Sequence, residues 1–190
     1  MVINHLHQLE TSRLSLSLMT EDDTPLFYEL DQDEAVMKYI NGGVKSSHDD
    51  IHLRFLPRFR RYNLPEKGFG LWKVTAKPSV FTSEISGQYL GWILVRPMYF
   101  YTDNPHHHNI EIGWRLKQSA WGKGVATEAA TAVMDFIAQQ PEVTMFTAIA
   151  LEHNLASIAV MKKLTMQFVK KALHTDGPVA QELVFYQKRL

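Results

Sequence analysis

Two glycines stand in the segment Trp121-Gly-Lys-Gly-Val-Ala-Thr-Glu, between a strand-like stretch and a helix-like one. Glycine at such a turn lets the backbone come close to a ligand. The first amides of a helix have no intrahelical partners and carry partial positive charge. Together they make an anion site, most often for phosphate, and Lys123 adds a cation. The pattern is not a P-loop, because no Gly-Lys-Ser/Thr follows at the required offset, and it lacks the third glycine of the dinucleotide fingerprint. A tight turn that needs glycine for geometry alone is the competing reading, and spacing does not separate the two.

Other residues invite chemistry less sharply. His106-His107-His108 suggests a metal, but adjacent side chains do not readily converge on one ion, and no carboxylate spacing accompanies them. A solvated loop, or one that shapes a nearby pocket, is the simpler expectation. Asn154 and Ser157 fit the cap and third residue of a helix. The chain has no cysteine, which excludes a disulfide framework, a thiolate nucleophile and cysteine-ligated metal centres.

The elements that must position these residues are legible from periodicity. Leu14, Leu16 and Leu18 alternate with polar residues over Arg13–Met19, a half-buried strand. Thr20 or Asp22 caps a helix with Pro25 in its first turn, and a second helix covers Asp33–Ile40 before Asn41-Gly42-Gly43. A third is expected from Ser46 or Ser47 to Tyr62, with Pro57 as an interior breaker. Its Phe/Arg mixture over Arg54–Arg61 reads as a solvated face with buried aromatics. Strands follow at Phe69–Thr75 and Gln88–Arg96, with loops over Ala76–Ser86 and Tyr99–His108. Ile110, Ile112, Trp114 and Leu116 alternate with Glu111, Gly113 and Arg115 in a strand over Asn109–Lys117. Then come a helix at Gly122–Gln139, a strand at Val143–Leu151, a helix at Asn154–Leu164, and strands at Gln167–Ala172 and Gln181–Gln187. In the longer helix Val125, Ala129, Ala132, Val133, Phe136 and Ile137 share one face, and Met134 and Met161 read as core. The order predicts one α/β domain over residues 1–190 with a mixed sheet.

Composition bounds the class. Of 190 residues 45% are hydrophobic, and 20 Lys+Arg balance 20 Asp+Glu. A phosphate-gripping nucleic-acid binder would be clearly basic, so nucleic acid is not expected as a partner. Met1–His7 lacks a basic start with a long apolar run, and no stretch approaches the ~20 apolar residues of a membrane span. A soluble, cytoplasmic protein that makes no use of a membrane is the expectation.

Three segments carry a resemblance. Glu111-Ile-Gly-Trp-Arg-Leu, Ala120-Trp-Gly-Lys-Gly-Val-Ala-Thr-Glu-Ala and Asn154-Leu-Ala-Ser-Ile-Ala-Val-Met-Lys-Lys-Leu together resemble the GNAT superfamily of N-acetyltransferases. Leu9-Glu-Thr-Ser-Arg-Leu-Ser-Leu and Val36-Met-Lys-Tyr-Ile are similar to its Rim-type branch, the ribosomal-protein N-terminal acetyltransferases. The resemblance implies a strongly twisted mixed sheet, flanked by helices, whose central strands splay around acetyl-CoA as co-substrate. It implies pyrophosphate on the amides of Gly122, Lys123, Gly124, Val125, Ala126 and Thr127. Trp121 departs from the family's Arg/Gln, and Thr165 from its usual glycine. The backbone of Trp114, Arg115 and Leu116 would pair with the pantetheine arm, and Gly113 would sit at a bulge. Asn154 would contact pantetheine, and Ser157 would give a proton to the leaving thiolate.

An amine acceptor has a pKa near ~10 and arrives protonated. Glu111 is the sequence's best base, on the polar face two residues before Gly113; an exposed carboxylate paired with Arg115 is the alternative. Direct attack on the thioester is expected, with no metal. The acceptor, a peptide N-terminus or a small molecule such as a polyamine or antibiotic, stays open, as does monomer against homodimer. A non-catalytic acyl-CoA sensor on the same fold, and a phosphate-ligand binder of another fold, are the competing functions. Tyr28, Tyr39 and Trp72 are candidates for lining the acceptor site, with a core or wall role the simpler expectation for each.

Overall fold

The computed structural model describes residues 8–78, 81, 84–176 and 180–190; the reading of Met1–His7 lies outside them. Eight strands form one sheet in the order β1-β2-β3-β4-β5-β6-β8-β7. The strands are β1 Gln8–Glu10, β2 Leu14–Leu18, β3 Gly70–Ala76, β4 Tyr89–Met98, β5 His106–Leu116, β6 Met145–Ala150, β7 Gln167–His174 and β8 Gln181–Arg189. The helices are α1 Thr24–Leu30, α2 Glu34–Asn41, α3 Leu56–Tyr62, α4 Val125–Ile137 and α5 Leu155–Lys163. Every neighbouring pair is antiparallel except β5 and β6, which are parallel and joined through α4. The fold class is the mixed α/β arrangement expected.

Alternation along the central strands buries both faces of the sheet. Trp72 and Val74 of β3, with Ile93 and Val95 of β4, pack toward Val125, Ala129, Val133 and Ile137 of α4. Leu71 and Trp92 point the other way, toward Phe27, Leu30, Val36, Leu56, Phe59 and Tyr62 of α1 to α3. Each fully buried side chain of this size contributes roughly 1.5–3 kcal/mol relative to exposure. Met134 and Met161 are core, as expected, and Trp72 is core rather than acceptor wall.

Several expectations are corrected. The helix from Ser46 or Ser47 to Tyr62 is not continuous: a π-helical turn spans Asp50–Phe55, and Pro57 falls in the first turn of α3, where its missing N–H costs nothing. His106–His108 belongs to β5 rather than to a loop, because Met98 of β4 pairs with His106. The same pairing places the register shift at Pro97/Met98. Gly113 pairs regularly with Leu94, so the expected bulge at Gly113 is not there. α4 begins at Val125 rather than Gly122, because Gly122 and Gly124 take left-handed backbone (φ 70° and 76°).

One glycine that periodicity does not flag holds β4 against β5. A Cβ on Gly91 would lie 2.2 Å from the Arg115 carbonyl oxygen and 2.7 Å from the Leu116 Cα, and its φ is +129°. Both obstacles are backbone, so no side chain can move aside. Gly91→Ala is expected to destabilise the fold by about 3 kcal/mol or more, read by urea denaturation. A change within ~0.5 kcal/mol, the range of ordinary surface substitutions, would contradict this close packing.

Candidate active site

The parallel ladder between β5 and β6 is short. It contains Asn109 with Met145, Ile110 with Phe146, and Glu111 with Thr147. β5 continues to Leu116 and β6 to Ala150, yet no further pair forms, so the two strands part after Glu111. The closed end is pinned by buried side chains. Thr147 Oγ1 donates to Asn109 Oδ1 at 2.7 Å, and Gln187 Nε2 of β8 donates to Thr147 Oγ1 at 3.1 Å. Beyond the pin, the inner edge of β5 has free backbone groups facing a cleft.

Two cavities fill that cleft. One, of about 360 Å³, runs from Trp114, Arg115 and Leu116 to Gly122, Gly124, Val125, Ala126 and Thr127, and then to Asn154 and Ser157 of the α5 side. The other, of about 280 Å³, continues past Gly113 to Trp92, His174 and Gln181. They share Tyr39, Ile40, Trp114, Arg115, Asn154 and Ser157, so they adjoin at those residues, termed the waist below. Tyr39 thus lines the site, whereas Tyr28 stacks on His48 at 3.9 Å.

The glycine turn is built for an anion. Among the described residues, no backbone amide from Gly122 to Thr127 donates to a protein acceptor. A Cβ on Gly122 would meet nothing within 4 Å, so the turn is open as well as unpaired. Thr127 and Ala126 open the first turn of α4, where the helix dipole adds to the amides. The donor set and the open approach fit a pyrophosphate. Lys123 does not supply the expected charge there: its Nζ donates to the Ser119 carbonyl at 2.8 Å, and its side chain is exposed outside the cavity. Lys163, at the end of α5, is the lysine that lines the mouth.

A brace fixes the turn. Arg13 Nη1 donates to the Lys123 carbonyl at 3.0 Å while its Nε donates to Glu128 Oε2 at 2.6 Å. Thr11 Oγ1 and the Arg13 amide both donate to Glu128 Oε1. β2 therefore holds α4 and its preceding loop together. Trp121 Nε1 donates to the Leu116 carbonyl at 2.8 Å, which ties the turn to β5 and takes one carbonyl from the stretch expected to pair with pantetheine.

Asn154 caps α5: its Oδ1 accepts from the Ser157 amide at 3.2 Å. The capping reading of both residues therefore holds, and both also line the waist. Arg115 reaches away from Glu111. Its Nη1 donates to Asp31 Oδ1 at 2.5 Å, and Ser46 Oγ donates to Asp31 Oδ2 at 2.7 Å. This network fastens the α1–α2 connection over the sheet.

Glu111 is neither exposed nor paired with Arg115, as the sequence alternative had it. It is 5% exposed, and Arg96 Nε donates to its Oε2 at 2.8 Å. β4 pairs Arg96 directly opposite Glu111, which long-range register alone decides. Glu111 lines neither cavity. Asp176 lies on the other side of Arg96, at 3.9 Å, and accepts from the Tyr101 amide at 2.7 Å. No motif or periodicity marks Arg96, Asp176 or the cavity-lining His174. Among the described residues, no three His, Asp or Glu side chains are grouped to hold a metal, and no helix is long and apolar enough to cross a membrane.

The Arg13–Glu128 brace has a pH signature. Burial pushes the Glu128 carboxyl up, but hydrogen bonds from Thr11 and Arg13 outweigh it and hold the group below the ordinary glutamate range. The stabilisation is then complete above the unfolded value and is lost as pH falls through the depressed one. Glu128→Gln is expected to lower the melting temperature at pH 7, with the gap to the native chain closing below pH ~4. A gap that persists unchanged at pH 3 would contradict the assigned ionisation.

Residues 13–167 match the family described as Acetyltransferase (GNAT) domain. The chain is 28% identical over 181 residues to the uncharacterised protein YkkB of Bacillus subtilis, covering 94% of this chain and 95% of that one. Its fold is similar to aminoglycoside acetyltransferase AAC(6')-Ib in complex with coenzyme A, with TM-score 0.70 and 19% identity over 93% of this chain and 94% of that one. It is also similar to RimL, a ribosomal alpha-N-protein acetyltransferase in complex with coenzyme A, with TM-score 0.70 and 14% identity over 97% and 98%. With the family matched over most of its length, and with an open amide cradle beside parted strands, the chain belongs to the GNAT acetyltransferase family.

Proposed function

We propose that the chain transfers the acetyl group of acetyl-CoA to a singly charged primary amine set among apolar groups, such as the α-amine of a peptide N-terminus. The observation that carries the co-substrate is the unpaired amide run from Gly122 to Thr127, continuous with the cleft between β5 and β6. Gly122, Gly124, Val125, Ala126 and Thr127 would hold the pyrophosphate by backbone, and Lys163 would meet phosphate at the mouth. Trp114 and Arg115 offer the free edge of β5 to the pantetheine amides, as an added strand would. The thioester would then sit at the waist, beside Ser157.

The second cavity supports the acceptor class. Its described lining is mostly apolar and aromatic, including Trp92, Leu94, Ile112 and Trp114, and contains no aspartate or glutamate. Its one permanent cation, Arg115, is already paired with Asp31. A polycation such as an aminoglycoside or polyamine needs several carboxylates to replace lost water. A single amine on an apolar body needs none. This favours the peptide-like acceptor, in line with the Rim-type resemblance, over the antibiotic.

The proposed reaction is direct. The amine nitrogen attacks the thioester carbonyl carbon, the C–S bond breaks, and Ser157 Oγ relays a proton to the departing thiolate. Closing the waist on the amine excludes water and places the two reactants together.

Thermal unfolding with acetyl-CoA, CoA and ATP tests the co-substrate. A ligand at ~100 times its Kd stabilises by about 2.7 kcal/mol. Both CoA species are expected to raise the melting temperature and ATP is not. Acetyl transfer is then followed with a Met-Leu dipeptide amide, phenylethylamine, spermidine and kanamycin. The first two are expected to turn over at least tenfold faster in kcat/KM than the polycations. A preference for kanamycin or spermidine would contradict the acceptor class, and CoA binding without any turnover would favour a sensor. Ser157→Ala is expected to lower kcat about tenfold or more with CoA stabilisation intact.

A further inference from the structure

We propose that His174 is the base that takes the proton from the acceptor ammonium. This rests on the acetyltransferase reading. His174 is the last residue of β7, paired with Gln181 of β8, and both line the second cavity with Gly113 and Ser157. It is 4% exposed. Its Nδ1 is buried without a hydrogen-bond partner. A buried imidazole nitrogen with nothing to bond is costly unless a ligand completes it. No other histidine, and no aspartate or glutamate, lines either cavity among the described residues.

The surroundings suit a base rather than a fixed cation. Burial pushes the His174 imidazole below the ordinary histidine range, opposed by Glu111 and Asp176 and helped by Arg96. The surroundings therefore favour the neutral ring. Tyr99 packs against it tilted and Phe185 edge-on, each with ring centroids 6.0 Å away. Of the charged groups that act on it, Glu111 comes from β5, Arg96 from β4, and Asp176 from just past β7. Two carboxylates against one guanidinium leave one negative charge, which compensates the imidazolium once it forms. Glu111 itself is bonded to Arg96 and lies outside the cavity.

The proton balance closes. One proton moves from the ammonium to the imidazole, freeing the nitrogen lone pair for the new C–N bond. The second leaves that nitrogen as the C–S bond breaks and reaches the thiolate through Ser157. The imidazolium returns its proton to solvent. The net products are amide, CoA thiol and one released proton.

The test is the pH profile of kcat/KM for the Met-Leu dipeptide amide and phenylethylamine, in the native chain and in His174→Gln. The native rate is expected to rise with a midpoint below the ordinary histidine value of ~6.5 and to plateau near neutrality. At pH 7 His174→Gln is expected to lose about 10²–10³-fold for phenylethylamine, whose ammonium titrates near ~10, and about tenfold for the dipeptide amide, whose α-amine titrates near ~8. Its rate should then climb about tenfold per pH unit and approach the native rate near the amine's own pKa, where no base is needed. Its stabilisation by CoA is expected to be unchanged, which also reports folding. A variant that keeps the native rising limb, or loses rate equally at every pH, overturns the proposal.

A second readout needs no turnover. Imidazole nitrogen NMR of the native chain with CoA is expected to show His174 neutral at pH 7 and shifted by either amine. A protonated ring, or no response to amines that bind, overturns the proposal. Failure of the native chain to acetylate any amine would instead count against the acetyltransferase reading, while these NMR signals still test His174.

Discussion

The site depends on where β5 and β6 stop pairing. Three parallel pairs, ending at Glu111 and Thr147, hold the strands, and the buried Asn109–Thr147–Gln187 hydrogen bonds lock that end. Past them, β5 still has β4 on one side and β6 still has β8, so each strand stays ordered while the gap between them opens. Unpaired strand edges are normally a liability inside a sheet. Here the unpaired groups face a cleft, where an extended ligand with its own amides completes them.

Two braces set the walls of that cleft. The Arg13–Glu128 pair reaches from β2 to α4 and holds the glycine turn by the Lys123 carbonyl. Arg115 does the same on the opposite side, joining β5 to Asp31 and, through Ser46, to the segment that follows α2. Both pairs are half-buried or more, so they are screened less than surface pairs. Neither needs to touch a reacting atom. They keep the amide cradle and the apolar acceptor cavity in register with the waist at Ser157.

Local patterns carried much of this in the sequence. Alternation over Asn109–Lys117 marked the central strand, and the helical spacing from Val125 to Ile137 marked α4. The glycine turn was visible because left-handed backbone at Gly122 and Gly124 leaves a compositional trace. Asn154 showed itself as a cap for the same reason. What escaped depends on partners distant in sequence. Glu111 reads from alternation as a base on a polar face, because alternation does not tell that β4 places Arg96 opposite it. His174 sits at a strand end with no motif, and only the β7–β8 hairpin brings it to the cavity. Gly91 carries no turn signal, since its reason is the Arg115 backbone pressed against it. Lys123 keeps its amide in the glycine turn, while its side-chain charge finds the Ser119 carbonyl on its own loop, a partner that spacing does not reveal.

Amide hydrogen exchange with and without acetyl-CoA tests the central claim most directly, because the claim concerns backbone amides rather than side chains. Protection is expected in Gly122–Thr127 and along the free edge of β5 at Trp114–Leu116, with the β1–β2 end of the sheet unchanged. Protection elsewhere, with the glycine turn exchanging as fast as in the free chain, would mean that the turn is only a turn.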